Sequence, residues 1–205
     1  MFVLALPIAI LAGCAHPAAP DETGPAGAVR PAAAPTSPTP VPQAREGRPA
    51  RSTRVRFEPA EVVLPGGATA PVDPVSTFDG ELKVPDDPRR VGWWDGSANA
   101  GDPFGNTVIA GHIDSAEEGL GYLAGLRTVQ KGDLISVRAG PHRQRYRVTR
   151  VQSIPKLALA DDTRAFDQTG PHQLVLITCT GTFRPERRSY DNNLVITARA
   201  VGLAS

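Results

Sequence analysis

Cys179 is the residue of the sequence best suited to covalent chemistry, because it is a lone thiol at the end of the apolar run 173–179 (QLVLITC). The only other cysteine, Cys14, lies near the N-terminus, and pairing the two would require the tail to fold back. An unpaired thiol in an exported protein is exposed to oxidation and is usually absent unless it is used. The alternative is a buried, inert cysteine, since free cysteine is among the most buried residue types.

His112 is a second candidate for the same chemistry, because it ends another apolar run, 106–112 (NTVIAGH). Histidine ordinarily has a pKa close to neutral pH, so an imidazole at a strand end can give a proton to a leaving amine. Two other interpretations stay open: a solvated loop histidine, or a metal ligand together with Asp114. The spacing of the histidines and carboxylates matches no zinc or calcium signature, so the sequence predicts neither a metal nor another cofactor.

Three arginines follow the cysteine closely and could assist an acyl transfer: Arg184, Arg187 and Arg188. Acyl transfer passes through an oxyanion, which a guanidinium group or backbone N–H groups can stabilise. Arginines grouped in this way more commonly form an ordinary solvated basic loop. These arginines are therefore candidates and not yet an assignment.

Short strands must position these side chains, because the sequence from Thr53 onward shows almost no helical periodicity. A short helical turn is predicted within 115–126, although three glycines weaken it. The predicted strands are 54–57, 61–64, 68–75, 81–84, 106–112, 134–137, 144–154, 173–179 and 193–201. Strands at this spacing without intervening helices predict an all-β fold, a closed or nearly closed barrel of about seven to nine strands.

The N-terminal quarter of the chain differs in composition from the rest. Residues 1–13 contain an apolar run with the length of a signal-peptide core, which predicts a signal peptide or a membrane anchor. The sequence Leu11-Ala12-Gly13-Cys14 resembles the lipoprotein cleavage box of bacteria, so a lipid on Cys14 is an alternative anchor. Residues 14–52 are rich in Pro and Ala, which predicts a disordered linker. Residues 53–205 are the predicted folded domain.

The net charge and the predicted export narrow the range of possible binding partners. The net charge is +1 at pH 7, so no basic surplus favours nucleic acid as a partner. The predicted leader and linker place the folded domain outside the cytoplasm, tethered to the membrane by an N-terminal anchor or a lipid.

Several separated motifs, in one order along the chain, resemble the sortases, cysteine transpeptidases of Gram-positive bacteria. The sequence Ile177-Thr178-Cys179 resembles the family signature TLxTC, and Ala110-Gly111-His112 matches the strand that carries the family histidine. The resemblance extends over about 54–201 and is closest to the actinobacterial class F sortases. The segments that carry it are 91–94 (VGWW), 105–115 (GNTVIAGHIDS), 131–133 (KGD), 154–156 (IPK), 176–179 (LITC) and 190–193 (YDNN).

The resemblance implies a single eight-stranded sortase-like β-barrel with short helical turns. It implies that the thiolate of Cys179 attacks an LPxTG-like sorting signal at its Thr–Gly bond, and that His112 protonates the departing amine. Many sortases carry an arginine near the position of Asn193, whereas class F sortases often carry it in the loop before the tyrosine, which corresponds here to Arg188. Asp114 is a weaker candidate for orienting the imidazole.

The implied partners are a surface protein bearing the sorting signal and an amine acceptor of the cell wall or a pilin, at a Gram-positive type of cell surface. Hydrolysis is expected where no acceptor is present. Whether the reaction anchors proteins or polymerises pilins is left open.

Two alternatives to the sortase interpretation differ in class. L,D-transpeptidases also use Cys and His, but their signature places the histidine shortly before the cysteine, whereas a long stretch separates His112 from Cys179. The other alternative is a non-catalytic barrel that binds a component of the cell envelope and in which Cys179 is structural.

Overall fold

The computed structural model describes residues 54–159 and 164–205 of the chain. The predicted signal peptide or anchor (1–13) and linker (14–52) lie outside the described residues. Within the described ranges, no helix combines the length and the apolar composition that crossing a bilayer requires.

The described part of the chain is built almost entirely from strands, as predicted. The strands are β1 (Glu61–Val63), β2 (Thr69–Val75), β3 (Thr77–Phe78), β4 (Glu81–Leu82), β5 (Val91–Trp94), β6 (Asn106–Ala110), β7 (Asp114–Ser115), β8 (Gly119–Leu120), β9 (Leu134–Ala139), β10 (His142–Pro155), β11 (Gln173–Arg184) and β12 (Ser189–Val201). The helical segments are short: a 3₁₀ helix (Tyr122–Thr128), the one-turn helix α1 (Lys156–Leu159) and a 3₁₀ turn (Pro185–Arg187).

Eight of these strands close into a barrel in the order β1-β2-β5-β6-β11-β12-β10-β9, and β9 pairs with β1 to complete the circle. This confirms the predicted eight-stranded barrel. Most neighbours are antiparallel, but β2 pairs with β5, and β6 with β11, in parallel. The remaining strands form two small hairpins, β3–β4 and β7–β8.

The central strands β6 and β11 are buried on both faces, which explains why their sequences are continuously apolar instead of alternating. Ile109, Leu174 and Leu176 belong to the core inside the barrel. Val108 and Val175 belong to a second apolar cluster on the outer face, which residues such as Trp94 and Phe166 help to cover. The outer face of these two strands is therefore a packed surface that other segments of the chain lie against.

Three details differ from the sequence-based expectations. The predicted strand 54–57 is reduced to a single bridge between Phe57 and Ala100. The four-residue strand β5 was not among the predicted strands, because a run of that length with a glycine gives a weak periodic signal. The predicted helical turn begins only at Tyr122, because the residues before it, including Gly119, belong to the β7–β8 hairpin.

The buried ring of Tyr146 packs against the half-buried ring of His172. The Tyr146 hydroxyl lies 2.9 Å from His172 Nε2, and His172 Nδ1 lies 3.0 Å from the carbonyl oxygen of Gly105. Both bonds are satisfied by the neutral imidazole that carries its proton on Nδ1: Nδ1–H donates to Gly105, and Nε2 accepts from the tyrosine. Burial accordingly lowers the pKa of His172 below its usual value of 6.5.

We expect this histidine to make the stability of the barrel depend on pH. Between the lowered pKa of folded His172 and about pH 6.5, the unfolded chain binds the proton more readily, so the free energy of unfolding falls as the pH falls through this window. In His172→Gln this part of the slope, at most about 1.4 kcal/mol per pH unit for one proton, should disappear. Urea unfolding at a series of pH values measures it.

The control is His142→Gln, which removes an exposed histidine that stacks on Phe57. The slope itself is the readout, so a general loss of stability in either variant does not matter. If wild type and His172→Gln showed the same slope below neutral pH, the assignment of the neutral imidazole would be wrong.

Candidate active site

The end of β6 and the adjoining part of β11 bring the two predicted reactive residues together. The strand predicted to end at Cys179 in fact continues to Arg184, because the residues after the cysteine remain paired with β12. The parallel register runs from Gln173 opposite Asn106 to Ile177 opposite Ala110. Two further steps in the same register place Cys179 opposite His112. On both strands these are outward positions, since side chains alternate along a strand and the outer cluster holds Ala110 and Ile177.

A pair of hydrogen bonds across Gly111 fixes this arrangement. The Gly111 N–H donates to the carbonyl oxygen of Ile177 at 3.2 Å. The Gly111 carbonyl oxygen accepts a bond from the Thr178 hydroxyl at 2.8 Å, and Thr178 is only 2 % exposed. The residues just before His112 and just before Cys179 are therefore clamped to each other in the interior, so the two reactive side chains share a rigid support.

Gly121 allows the chain to pass closely behind His112. A Cβ atom at Gly121 would lie 2.7 Å from the carbonyl oxygen of Pro88 and 2.8 Å from that of His112, so any other residue at this position would displace the backbone. The Gly121 N–H also donates to Ile113 at 2.8 Å. The glycine thus holds the loop against the backbone on which the imidazole is mounted.

Cys179 and His112 line one open cavity of about 580 Å³ on the outer face of the barrel. Both side chains are half-buried, so each is supported by its neighbours and still accessible. Asn193, which pairs with Cys179 across β11 and β12, lies in the same wall. A substrate in this cavity would meet the sulfur and the imidazole together.

The opposite wall of the cavity is apolar and comes from segments far apart in the sequence. The β3–β4 hairpin contributes Leu82, and the chain that follows it contributes Val84. Leu159 and Phe166 come from the connection between β10 and β11, and Trp94 stands edge-on to Phe166 with ring centroids 5.9 Å apart. The cleft can therefore bind an extended apolar segment beside the thiol.

Trp93 and Trp94 lie on opposite faces of β5. Trp93 is 5 % exposed and belongs to the core inside the barrel. Trp94 instead forms part of the cleft wall. The alternation of neighbouring side chains along a strand requires this separation once β5 is known to be a strand.

Asp114 makes its hydrogen bond with Tyr190, whose hydroxyl donates to Asp114 Oδ2. This bond raises the pKa of the Tyr190 phenol, while the positive charge of Arg127 acts in the opposite direction. Among the described residues no hydrogen bond joins Asp114 to His112. The carboxylate thus ties the segment after His112 to the start of β12, and its predicted contact with the imidazole is not seen.

The arginines after Cys179 lie on the exposed hairpin that joins β11 to β12, and none of the three lines the cavity. Arg184 pairs with Asp191 at 3.2 Å, and Asp191 also accepts the Thr182 N–H, which together hold the pKa of its carboxyl below the usual range. Arg188 follows the 3₁₀ turn with a left-handed backbone, at φ 48°. Arg187 and Arg188 form no ion pair within the part of the chain that the structure describes.

No group of three or more His, Cys, Asp or Glu side chains in the described ranges is arranged to hold a metal ion.

The model of the sortase domain family matches residues 67–201, which is most of the described chain. This chain belongs to the sortase family. Sortases are cysteine transpeptidases, and the family is associated with the cell surface in Gram-positive bacteria.

Solved sortases share the fold at low sequence identity. Sortase A from Corynebacterium diphtheriae, a lid mutant, is 24% identical with a TM-score of 0.53, over 76% of this chain and 75% of that one. Sortase C-1 from Actinomyces oris is 20% identical with a TM-score of 0.53, over 70% and 71%. A Clostridium perfringens sortase D5 transpeptidase is 17% identical with a TM-score of 0.52, over 71% and 79%. Among curated proteins none matches the sequence.

Thr178→Val should loosen the support of this sortase's cleft. Valine has nearly the same shape but leaves the buried Gly111 carbonyl without its partner, which costs about 1–3 kcal/mol of unfolding free energy. Urea unfolding measures the loss. Thr180→Val serves as the control, because Thr180 is half-exposed and its hydroxyl makes no hydrogen bond within the described residues. Equal stability of the two variants would contradict the structural role of the clamp.

Proposed function

We propose that this sortase cleaves an LPxTG-like sorting signal through a thioacyl-enzyme on Cys179 and transfers the acyl group to an amine. The observation that carries the proposal is the joint presence of Cys179 and His112 on one accessible cavity. Cys179 carries the only sulfur atom in the described ranges, and it lines the same cavity as the imidazole of His112. A half-buried thiol next to a proton donor is the arrangement that nucleophilic acyl transfer requires.

In the first half-reaction the Cys179 thiolate attacks the carbonyl carbon of the Thr–Gly bond, and the carbonyl electron pair moves onto oxygen. The tetrahedral intermediate then collapses, the C–N bond breaks, and His112, as imidazolium, gives its proton to the departing amine. The products are a thioester on Cys179, a neutral imidazole and the released C-terminal fragment.

In the second half-reaction an amine attacks the thioester carbon and His112 takes up its proton. The C–S bond breaks and Cys179 is released as thiolate, so both residues return to their starting protonation states. The acceptor is an amine of the cell wall or of a pilin. Water takes its place where no amine is present, which gives slow peptide hydrolysis.

The apolar wall of the cavity supports a substrate of this kind. Trp94, Leu159 and Phe166 offer a surface on which the Leu and Pro side chains of a sorting signal would be shielded from water. Glu81 and Lys156 lie at the polar edge of the same cavity and can contact the peptide backbone or a charged neighbour. The scissile bond would then lie at the end of the cleft where Cys179 and His112 meet.

We assign the oxyanion contact to Arg188, following the class F pattern. The guanidinium of Arg184 is already paired with Asp191, which favours the arginines after the 3₁₀ turn. Because the hairpin stands away from the cavity, this role requires the hairpin to fold towards the bound peptide. Backbone N–H groups next to Cys179 would supply the remaining stabilisation.

The finer classification as a class F sortase rests on the motifs of the sequence, from Val91-Gly92-Trp93-Trp94 to Tyr190-Asp191-Asn192-Asn193. With it goes the proposed organisation: an anchor or lipidated leader in 1–13, a linker in 14–52 and the catalytic barrel in 53–205. This organisation would hold the cleft at the outer surface of a membrane.

Incubation with an LPxTG-type fluorogenic peptide and a glycine nucleophile tests the reaction. We expect cleavage, a transpeptidation product, and an acyl adduct that mass spectrometry maps to Cys179. Cys179→Ala should lose all three, whereas Cys14→Ser should retain them. A Cys179→Ala protein that cleaved the peptide, or a wild type that gave neither cleavage nor adduct over several sorting motifs, would favour the non-catalytic binding barrel.

The proton-transfer and oxyanion roles predict a graded set of losses in kcat/KM. His112→Ala should fall by at least about a hundredfold, the usual range for general acid–base catalysis, while His142→Ala stays near wild type. Arg188→Ala should lose about a hundredfold or more if its guanidinium meets the oxyanion, and Arg184→Ala much less. Circular dichroism checks that each variant is folded.

The outcomes for the two roles are separable. Near-normal turnover of His112→Ala would remove the imidazole from the mechanism. A large loss in Arg187→Ala with Arg188→Ala unaffected would move the oxyanion contact to the neighbouring residue.

A further inference from the structure

A second cavity of about 530 Å³ opens on the outer face of β10, β11 and β12, away from the thiol. Its walls also include the segment that leads into β11 and the turn before β9. Neither Cys179 nor His112 lines it, and it shares no residue with the cleft. Among the described residues, four cationic side chains and one carboxylate line it: Lys131, Arg150, Arg164, Arg199 and Asp167. We call it the basic cavity.

Three of these cations, Lys131, Arg150 and Arg199, make no ion pair and no side-chain hydrogen bond within the described residues. They come from three different parts of the fold: a turn, β10 and β12. Like charges that converge on a concave surface repel one another, and an anion placed between them would remove that repulsion. Other arginines of the barrel, such as Arg90 and Arg138, are paired with carboxylates.

A β-bulge points Arg150 into the basic cavity. Gln144, Tyr146 and Val148 of β10 are buried facing the interior, so regular alternation would turn residue 150 inward as well. The register shifts between Val148 and Arg150, and Thr149 is the extra residue. Bulges re-aim side chains in this way and are common beside functional sites. Thr149 and Arg150 consequently both face outward into the basic cavity.

Neutral donors complete the lining. Gln152, Gln173 and Thr197 lie on three adjacent strands and present amide or hydroxyl groups to the same space. Asp167, the one carboxylate among the described lining residues, is engaged in its own turn, since Asp167 Oδ1 accepts bonds from the Thr169 N–H at 2.8 Å and the Thr169 hydroxyl at 2.7 Å. The groups left to meet a ligand are therefore predominantly donors.

We propose that the basic cavity binds the phosphate group of a phosphoester ligand. Guanidinium groups match phosphate oxygens bidentately, and several converging cations with neutral donors suit a tetrahedral oxyanion with up to four oxygens better than a single planar carboxylate. A volume of about 530 Å³ exceeds what a free phosphate ion fills, so part of the esterified organic group is enclosed too.

Calorimetric titration of the full chain at constant low ionic strength tests the site, because salt would screen its charges. The probes are inorganic phosphate, glycerol phosphate as a soluble ester, and citrate as a carboxylate of higher charge. A vesicle arm compares phosphatidylglycerol with phosphatidylcholine. We expect saturable binding of the phosphate probes and a Kd at least about tenfold higher in the double variant Arg150→Gln/Arg199→Gln.

The matched control is Arg143→Gln/Arg145→Gln, which removes the same charge from exposed positions of β10 outside the basic cavity. Its Kd should stay within about twofold of wild type, since it leaves the local donors in place. Binding of glycerol phosphate identifies a soluble ester as the source, and binding to phosphatidylglycerol vesicles alone identifies a lipid head group; both support the site.

Three results would overturn the proposal: no saturable binding in any arm, citrate bound as tightly as the phosphate probes, or an equal loss in the two double variants. Peptide cleavage by Arg150→Gln/Arg199→Gln, at a rate close to wild type without phosphate, shows that the variant is folded and keeps the fate of this site distinct from that of the thiol cleft.

Discussion

The arrangement of the cleft depends on the parallel pairing of β6 with β11. The two strands run side by side in the same direction up to Ala110 and Ile177, so the residues that follow these two positions are neighbours although a long stretch of chain lies between them. The Thr178–Gly111 bond locks this pairing at its last step, where a slip of one residue would turn either His112 or Cys179 to the other face. Closure of the barrel protects the register, because no free edge is left along which the strands could slide.

The same pairing explains why the outer face is as important as the interior. In most small barrels the outward side chains face water, whereas here Val108, Val175 and Val195 form an apolar strip that hairpins and connections cover. The covering segments supply what the strands alone cannot: a wall on one side of the thiol. Rigid strands thus hold the reactive atoms, and connecting segments shape the space in front of them.

The sequence allowed the fold class, the barrel and the position of His112 just after β6 to be predicted, because these follow from local patterns. Cys179 was also expected at the end of its strand, but β11 continues beyond it to Arg184. Continuous apolar runs marked β6 and β11, and turn dipeptides marked the gaps. The parallel pairing was not predicted, since nothing in one strand specifies the direction of its neighbour. The sequence also did not predict that Trp94 and Phe166 line the cleft, because their contact joins two distant segments of the chain.

The three arginines after Cys179 show a second limit of prediction from the sequence. A motif names a position but not a distance, and Arg184, Arg187 and Arg188 all fit the pattern of a cation after the cysteine. Only the pairing of Arg184 with Asp191 and the left-handed turn at Arg188 separate them, and both depend on how the hairpin closes.

Residues 165–167, in the connection between β10 and β11, lie between the two cavities of the outer face. Phe166 faces the thiol cleft, while its neighbours Ala165 and Asp167 face the basic cavity. A ligand in either cavity that orders this segment therefore orders it for the other cavity as well. Thermodynamic linkage then makes the coupling mutual: if an anion changes the affinity for the peptide by some factor, the peptide changes the affinity for the anion by the same factor.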